Sequence, residues 1–423
     1  MRLVPHWLVR ANEIQRRTFW ACFAGWTLDA FDTQLYGVAI PALIATLGIS
    51  RGEAGLISGT TLVTAAVGGW LGGAVSDRIG RLQALQMAVL WFAAGSLLAA
   101  CTTQFPLLLA VKSLQGFGFG AEWTAGAVLI AETMHPTDRG KAMGGVQSGW
   151  AVGWAGALLS YGVIFSLLPP GAAWRVLFAI GVLPALLVVI VQRALLGRPE
   201  PTQRAEAAHG PRVSLGRSML AIFSRDTRRG AVAGALLGLG AHGGYYGLFT
   251  WLPTYLKTER GFSVMATSGY LAVIVVSFGI GCLAAGHVAD WIGRRSTVGW
   301  YAIGCIIVAA LYLLAPIGDS AMLVLGFPLG FCAAGIPATL GPLFSELFPQ
   351  AIRGSGVGFC YNFGRVASAA IPVLIGFMGE RLPLSLAIGV DTGSAYALVI
   401  VALLLLPTAR SLSTGMPLSR NPR

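Results

Sequence analysis

The chain has 423 residues, 55% of them hydrophobic and only 11% charged, where a typical soluble domain is about 25% charged. So much apolar surface needs lipid to cover it, which excludes a soluble globular enzyme and a disordered chain and indicates a polytopic membrane protein. The formal net charge of +12 does not indicate a nucleic-acid partner, because the basic residues sit in short loops and tails between apolar runs.

The six cysteines, Cys22, Cys101, Cys282, Cys305, Cys332 and Cys360, lie in or at the edges of apolar segments. None has a CxxC or Cys/His spacing, so they read as small buried hydrophobes, with no metal site or cofactor expected. The basic N-terminus is followed by an apolar segment too long for the core of a cleavable signal peptide.

In chain order, apolar runs predict twelve spans, at about 18–46, 53–76, 83–102, 105–132, 141–167, 173–195, 228–257, 263–289, 297–316, 320–346, 354–378 and 385–407. Runs of about 20 residues suffice to cross a bilayer core. Asp391 and Gly393 interrupt the last of them. Most of the 29 Lys and Arg residues fall on one side: the N-tail, the loops near 80, 140, 290 and 353, the 196–227 loop and the C-tail. Arg51, Arg175, Lys257, Arg260 and Arg381 fall on the other. The first side is therefore expected to be cytoplasmic, with both termini inside. The polar 196–227 loop reads as a linker between a six-helix unit at 1–195 and a second at 228–423.

The two units echo each other. Gly73-Ala-Val-Ser-Asp77-Arg78-Ile-Gly80-Arg81 recurs 213 residues later as Gly286-His-Val-Ala-Asp290-Trp291-Ile-Gly293-Arg294. A second pair, Glu132…Arg139-Gly140 and Glu346…Arg353-Gly354, keeps nearly the same offset. Two pairs in the same order indicate a duplicated bundle, the plan of many secondary transporters. Gly80 and Gly293 permit a tight reversal, and Gly73 and Gly286 a close helix contact. Asp77 and Asp290 can cap or pair with neighbouring helix ends.

Ionisable residues inside a span cost about 2.5–3.5 kcal/mol each on insertion scales and mark functional sites. The deep set is Asp29, Asp32, Glu122, His242 and Arg365. Asp29, Asp32, His242 and Arg365 fall near mid-membrane at about 1.5 Å per residue. Asp29 and Asp32 are three apart and share a helix face, so that one of them is expected to hold a proton. Glu122 reads as a proton relay or as the balance to a buried cation. His242 aligns with Asp29 at the repeat offset and reads as a pH-sensitive group or a structural histidine. Arg365 presents a fork suited to a carboxylate, and Asn362 one turn earlier can add a hydrogen bond. Gln34, Tyr36, Gln147, Tyr245, Tyr246 and Tyr361 are candidate cavity residues. Glu132 with Arg139, and Glu346 with Arg353, read as gate or charge-relay pairs. No Walker A, His-Glu-x-x-His or Gly-x-Ser-x-Gly sequence is present, so no enzyme chemistry is indicated.

These turns and the six-plus-six layout resemble the major facilitator superfamily over nearly the whole chain. The resemblance implies an all-α membrane fold of twelve helices in two pseudo-repeated bundles, acting as a monomer by alternating access. It makes Gly73, Asp77, Arg78, Gly80, Arg81, Asp290, Gly293 and Arg294 gate residues and not substrate ligands. Trp291 stands where that family usually has a basic residue. Span 1 (Leu28-Asp29-Ala30-Phe31-Asp32), span 4 (Lys112-Ser-Leu-Gln115-Gly116), span 7 (His242-Gly-Gly-Tyr245-Tyr246) and span 11 (Tyr361-Asn362-Phe363-Gly364-Arg365) are similar to the proton-coupled organic-acid symporters of the sialate/monocarboxylate and aromatic-acid branches. Lys112 departs from the arginine usual in the superfamily and keeps the charge without the planar fork. The implied function is uptake of a small organic anion with protons across a bacterial inner membrane, driven by the proton gradient with no cofactor. The alternatives are a drug or metabolite/proton antiporter of the same fold, which usually carries a Gly-Pro kink that span 5 lacks, and a membrane sensor or receptor.

Overall fold

The structure is a computed structural model describing residues 6–135, 138–182, 221–349 and 352–406. Among these residues the chain is helical and without strands. The first half holds α1 (His6–Arg10), α2 (Glu13–Leu47), α3 (Arg51–Ile79), α4 (Arg81–Ala100), α5 (Phe105–Thr133), α6 (Arg139–Leu167) and α7 (Pro170–Ile180). The second holds α8 (Arg228–Thr258), α9 (Val264–Ile292), α10 (Arg294–Leu314), α11 (Asp319–Glu346), α12 (Arg353–Ser368), α13 (Ala370–Met378) and α14 (Leu384–Leu405). Nine helices among the described residues are long and apolar enough to cross a membrane. Two more, α5 and α8, have 29 and 31 residues, and their polar site residues dilute their apolar character. The expected sixth span begins as α7. Its remainder, the linker up to residue 220 and both chain ends lie outside the described residues. Leu159, Val324 and Leu404 are among the large apolar side chains left uncovered by protein, as a lipid-facing surface requires.

The duplication is visible in the backbone. α9 starts and ends 213 residues after α3, at Val264 and Ile292 against Arg51 and Ile79. The turn that follows each helix passes through a glycine in the same conformation: Gly80 at φ 96°, ψ 150° and Gly293 at φ 85°, ψ 151°. That region is essentially closed to residues with a Cβ, so the reversal expected at both glycines has a steric reason. The expected close contact at Gly286 is absent: a Cβ there would meet nothing within 4 Å. The side-chain surroundings of Gly73, Asp77, Arg78 and Arg81 lie outside the described residues.

Within the halves α2 packs on α6 and α3 on α5, while α8 packs on α14 and α9 on α11. Between them α3 meets α13, α6 meets α9, and α2 meets α8. Exchanging the halves converts the first of these contacts into the second and leaves the third in place, as a pseudo-two-fold requires. Hydrogen bonds cross between the halves at two places among the described residues. Arg51 Nη1 donates to Gly379 O at 2.5 Å, Gly52 N to Glu380 Oε1 at 2.9 Å, and Trp150 Nε1 to Tyr245 Oη at 2.5 Å. The first two lie at the rim that carries the α2–α3 turn. Just below them Gly55 and Gly59 of α3 lie directly on the backbone of the α12–α13 segment. A Cβ at either would stand 2.4 Å from Pro372 O or 2.5 Å from Ala369 O. Only residues without a side chain allow this approach.

The expected eleventh span is broken into α12 and α13 at Ala369. Pro372 is the cause: it has no N–H for the carbonyl of Ser368, and its ring crowds that carbonyl. The twelfth span, by contrast, runs unbroken through Asp391 and Gly393 as α14.

Candidate substrate and proton site

Arg365 lies in the last turn of α12, just before that break. It is 1% exposed, and the carbonyl-rich end of a helix is where a buried cation is best tolerated. Its guanidinium carbon is 5.1 Å from the Tyr361 ring centroid and 5.2 Å from that of Phe119, which belongs to the opposite half. No ion pair among the described residues includes Arg365, and its Nε has no hydrogen-bond partner. It lines a chamber of about 570 Å³ between the halves, with Trp26, Gln147, His242, Tyr245 and Tyr361. Trp26 Nε1 is a second buried donor without a partner there. Two unused donors and a cation in one apolar chamber have the chemistry that suits an anion.

His242 belongs to this cluster and not to the acids. Its ring meets Tyr361 edge-on at 4.6 Å and stacks with Tyr246 at 6.0 Å. Nδ1 lies 2.8 Å from Gly238 O. A carbonyl only accepts, so Nδ1 carries the hydrogen and Nε2 is left as an acceptor.

A second chamber, of about 680 Å³, adjoins the first and shares Trp150, Tyr245 and Tyr246 with it. Its walls include Asp32, Gln34, Tyr36, Thr61, Lys112 and Phe119. The Trp150–Tyr245 hydrogen bond stands where the two adjoin. Lys112 Nζ lies 3.4 Å from Asp32 Oδ2 and 2.6 Å from Gln115 Oε1, and 5.6 Å from the Tyr36 ring centroid. Gln115 Nε2 also donates to Asp32 Oδ2 at 2.9 Å, and Ser96 Oγ donates to the other Asp32 oxygen. Asp32 is thus fully partnered.

Asp29 is not partnered in that way. It is 0% exposed, and neither of its carboxyl oxygens meets a hydrogen-bond donor. The carboxyl group of Glu122 adjoins it, and Arg365 acts on it across the interface. Glu122, 2% exposed, also has an oxygen without a donor, and it lines a small cavity of about 210 Å³ with Cys22, Trp26 and Trp123. Two adjoining carboxylates in a low-dielectric interior repel, and a proton between them removes the repulsion. Asp29 thus goes first with Glu122, while Asp32, whose charge also acts on Asp29, is itself held by Lys112.

The remaining candidates divide. Gln147, Tyr245, Tyr246 and Tyr361 line the Arg365 chamber, and Gln34 the Lys112 chamber. The Tyr36 ring also lines the second chamber, but its hydroxyl donates to Ala54 O at 2.7 Å. Asn362 lines neither, and its amide donates back to Gly358 O at 3.1 Å. Sequence reasoning missed Trp26, Ser96, Gln115, Phe119 and Trp150. Gln115 was legible as the residue one turn from Lys112, and Trp26 as an indole three residues before Asp29. Nothing in the sequence points to Ser96.

The expected Glu346–Arg353 pair is not the one formed. Glu346 pairs with Arg294, the arginine of the second repeated turn. Arg353 donates to Phe348 O at 3.4 Å, and its counterpart Arg139 to Met134 O at 3.2 Å. Each arginine thus binds the carbonyl five residues before it, another echo between the halves. Glu132 at the end of α5 and Asp290 near the end of α9 are both exposed.

Residues 22–327 match the Major Facilitator Superfamily, and the chain belongs to that family of multi-pass membrane transporters. It is 37% identical over 409 residues to a Cupriavidus pinatubonensis protein described as "Probable 4-methylmuconolactone transporter", covering 96% of this chain and 94% of that one. It is 30% identical over 386 residues to the "Cis,cis-muconate transport protein" of Acinetobacter baylyi, covering 89% and 91%. Its fold is like that of a D-xylose-proton symporter crystal structure, with a TM-score of 0.73 at 21% identity over 92% of this chain and 97% of that one.

Proposed function

We propose that this protein takes up a small organic carboxylate together with a proton across a bacterial inner membrane. The observation that carries the reading is Arg365, a buried cation with no ion-pair partner among the described residues, in a chamber between the two halves. The relatives named for a muconolactone and for muconate support an organic acid as the substrate.

The charges supply a coupling rule. In the empty carrier Asp29 and Glu122 share one proton, and their single remaining negative charge balances Arg365. A substrate carboxylate at Arg365 takes over that role, and a second proton taken up by the Asp29–Glu122 pair then removes the excess negative charge. Substrate without a proton, or a proton without substrate, leaves an uncompensated charge in low dielectric, which costs several kcal/mol. Only the empty and the doubly loaded carrier cross readily between the two open sides. With the termini in the cytoplasm, the rim clasped by Arg51 and Glu380 is the outer one.

The test is uptake into proteoliposomes with an imposed proton gradient. Accumulation of an organic acid above its equilibrium level, collapsing with a protonophore, is expected. Downhill equilibration unaffected by the gradient would overturn the coupling.

A further inference from the structure

The Lys112 chamber has chemistry of its own. Gln34 is 6% exposed and lines it, yet its amide Nε2 has no hydrogen-bond partner. A buried amide donor is destabilising unless something accepts from it. The surrounding charge is already balanced, since Lys112 is paired with Asp32. What is missing is therefore an acceptor atom and not specifically a negative charge.

The two chambers adjoin at Trp150, Tyr245 and Tyr246. Arg365 packs over Phe119, and Phe119 is seven residues from Lys112 on α5, about 10 Å along the helix axis. Arg365 lines the first chamber and Gln34 the second, and the wall common to both is Trp150, Tyr245 and Tyr246. Aromatic walls suit a flat, unsaturated body.

We propose that the substrate is two-ended: a planar unsaturated acid whose carboxylate sits on Arg365 and whose far end carries a second acceptor, a carbonyl or another carboxyl group, bound by Gln34. This rests on the reading of Arg365 as the carboxylate anchor. Gln34 then determines specificity and Arg365 determines binding. A site built to donate a hydrogen bond discriminates strongly against an analogue with nothing to accept it.

The purified transporter is titrated with hexadienedioate, its monomethyl ester and hexadienoate, which share a carbon skeleton and differ at the far end. Binding is read by quenching of tryptophan fluorescence, since Trp26 and Trp150 line the first chamber. The dioate and the ester are expected to bind at least tenfold more tightly than hexadienoate. Gln34→Leu should erase that advantage and leave hexadienoate within about twofold. The wild-type preference tests the proposal even without the variant. Equal affinity for all three ligands, an equal loss for all three in Gln34→Leu, or no binding of any of them overturns it. The Arg365 reading is judged separately: Arg365→Met should weaken all three alike, and no loss in that variant would sink the anchor whatever Gln34 does.

Discussion

Asp29 and Glu122 come from different helices, 93 positions apart in the chain, and bring their carboxyl groups together at a place where neither Asp29 oxygen finds a donor. Within the proposed mechanism this is where the proton is held. Asp29→Asn and Glu122→Gln should each abolish gradient-driven accumulation while substrate exchange between loaded compartments survives at a substantial rate. Counterflow and uptake assays on the same vesicles separate the two. If either variant still concentrates substrate in response to the gradient, the pair is not the coupling site.

Asp32 should behave differently. Removing one partner of a buried ion pair costs about 3–5 kcal/mol because the other is stranded. Asp32→Asn and Lys112→Met should each lower the melting temperature in detergent sharply, and the double variant should recover most of the loss. Simple addition of the two losses would show that the pair is not coupled.

Arg365→Lys keeps the charge but loses the fork. Its expected signature is an increase in KM of roughly tenfold or more with a smaller change in maximal rate. Unchanged KM would mean that the guanidinium does not hold the substrate.

Gly80→Ala and Gly293→Ala force a Cβ into a backbone region that costs about 1–3 kcal/mol. Both should destabilise to a similar extent, as equivalent points of a repeat, whereas Gly286→Ala, with open space around it, should be neutral. Thermal melting of the three variants checks this.

Glu380 lies outside the spans. The Ser50 hydroxyl and the Gly52 amide, with Arg51 and Arg381 nearby, hold its carboxyl below the usual glutamate range. Its contact with α3 is therefore expected to be complete at neutral pH, to outlast the titration of a free glutamate as pH falls, and to be lost below its own lowered value. Hydrogen exchange at Gly52 should follow that course in the native protein and lose its acid dependence in Glu380→Gln. The same acid dependence in both proteins would remove Glu380 as the cause.

Much of this was legible in the sequence. Runs of apolar residues announce spanning helices because lipid demands them, and Gly80 and Gly293 announce reversals because other residues do not fit. Arg365, Asp29 and Glu122 stood out because charge in a span is costly. Their partners were not legible. Residues three apart on a helix share a face only loosely, and which neighbour each one meets depends on how helices are rotated in the bundle. Asp32 is joined to Ser96, Lys112 and Gln115 at separations of 64, 80 and 83 residues, distances over which periodicity carries no information. Glu346 likewise meets Arg294 and not Arg353, whose side chain donates to the carbonyl of Phe348.

The seam at Gly55 and Gly59 bears on how easily the molecule changes shape. Backbone lying on backbone makes a tight seal from many weak contacts, with the Val373 side chain and the Phe377 ring reaching the glycines of α3 from the other side. The two end states of such a hinge can stay close in free energy, so that each tenfold difference in ligand affinity between them, about 1.4 kcal/mol, moves the population by the same factor. A transporter built this way needs no large driving force at each turn of its cycle, and a bulky residue at either glycine should stop the motion before it harms binding.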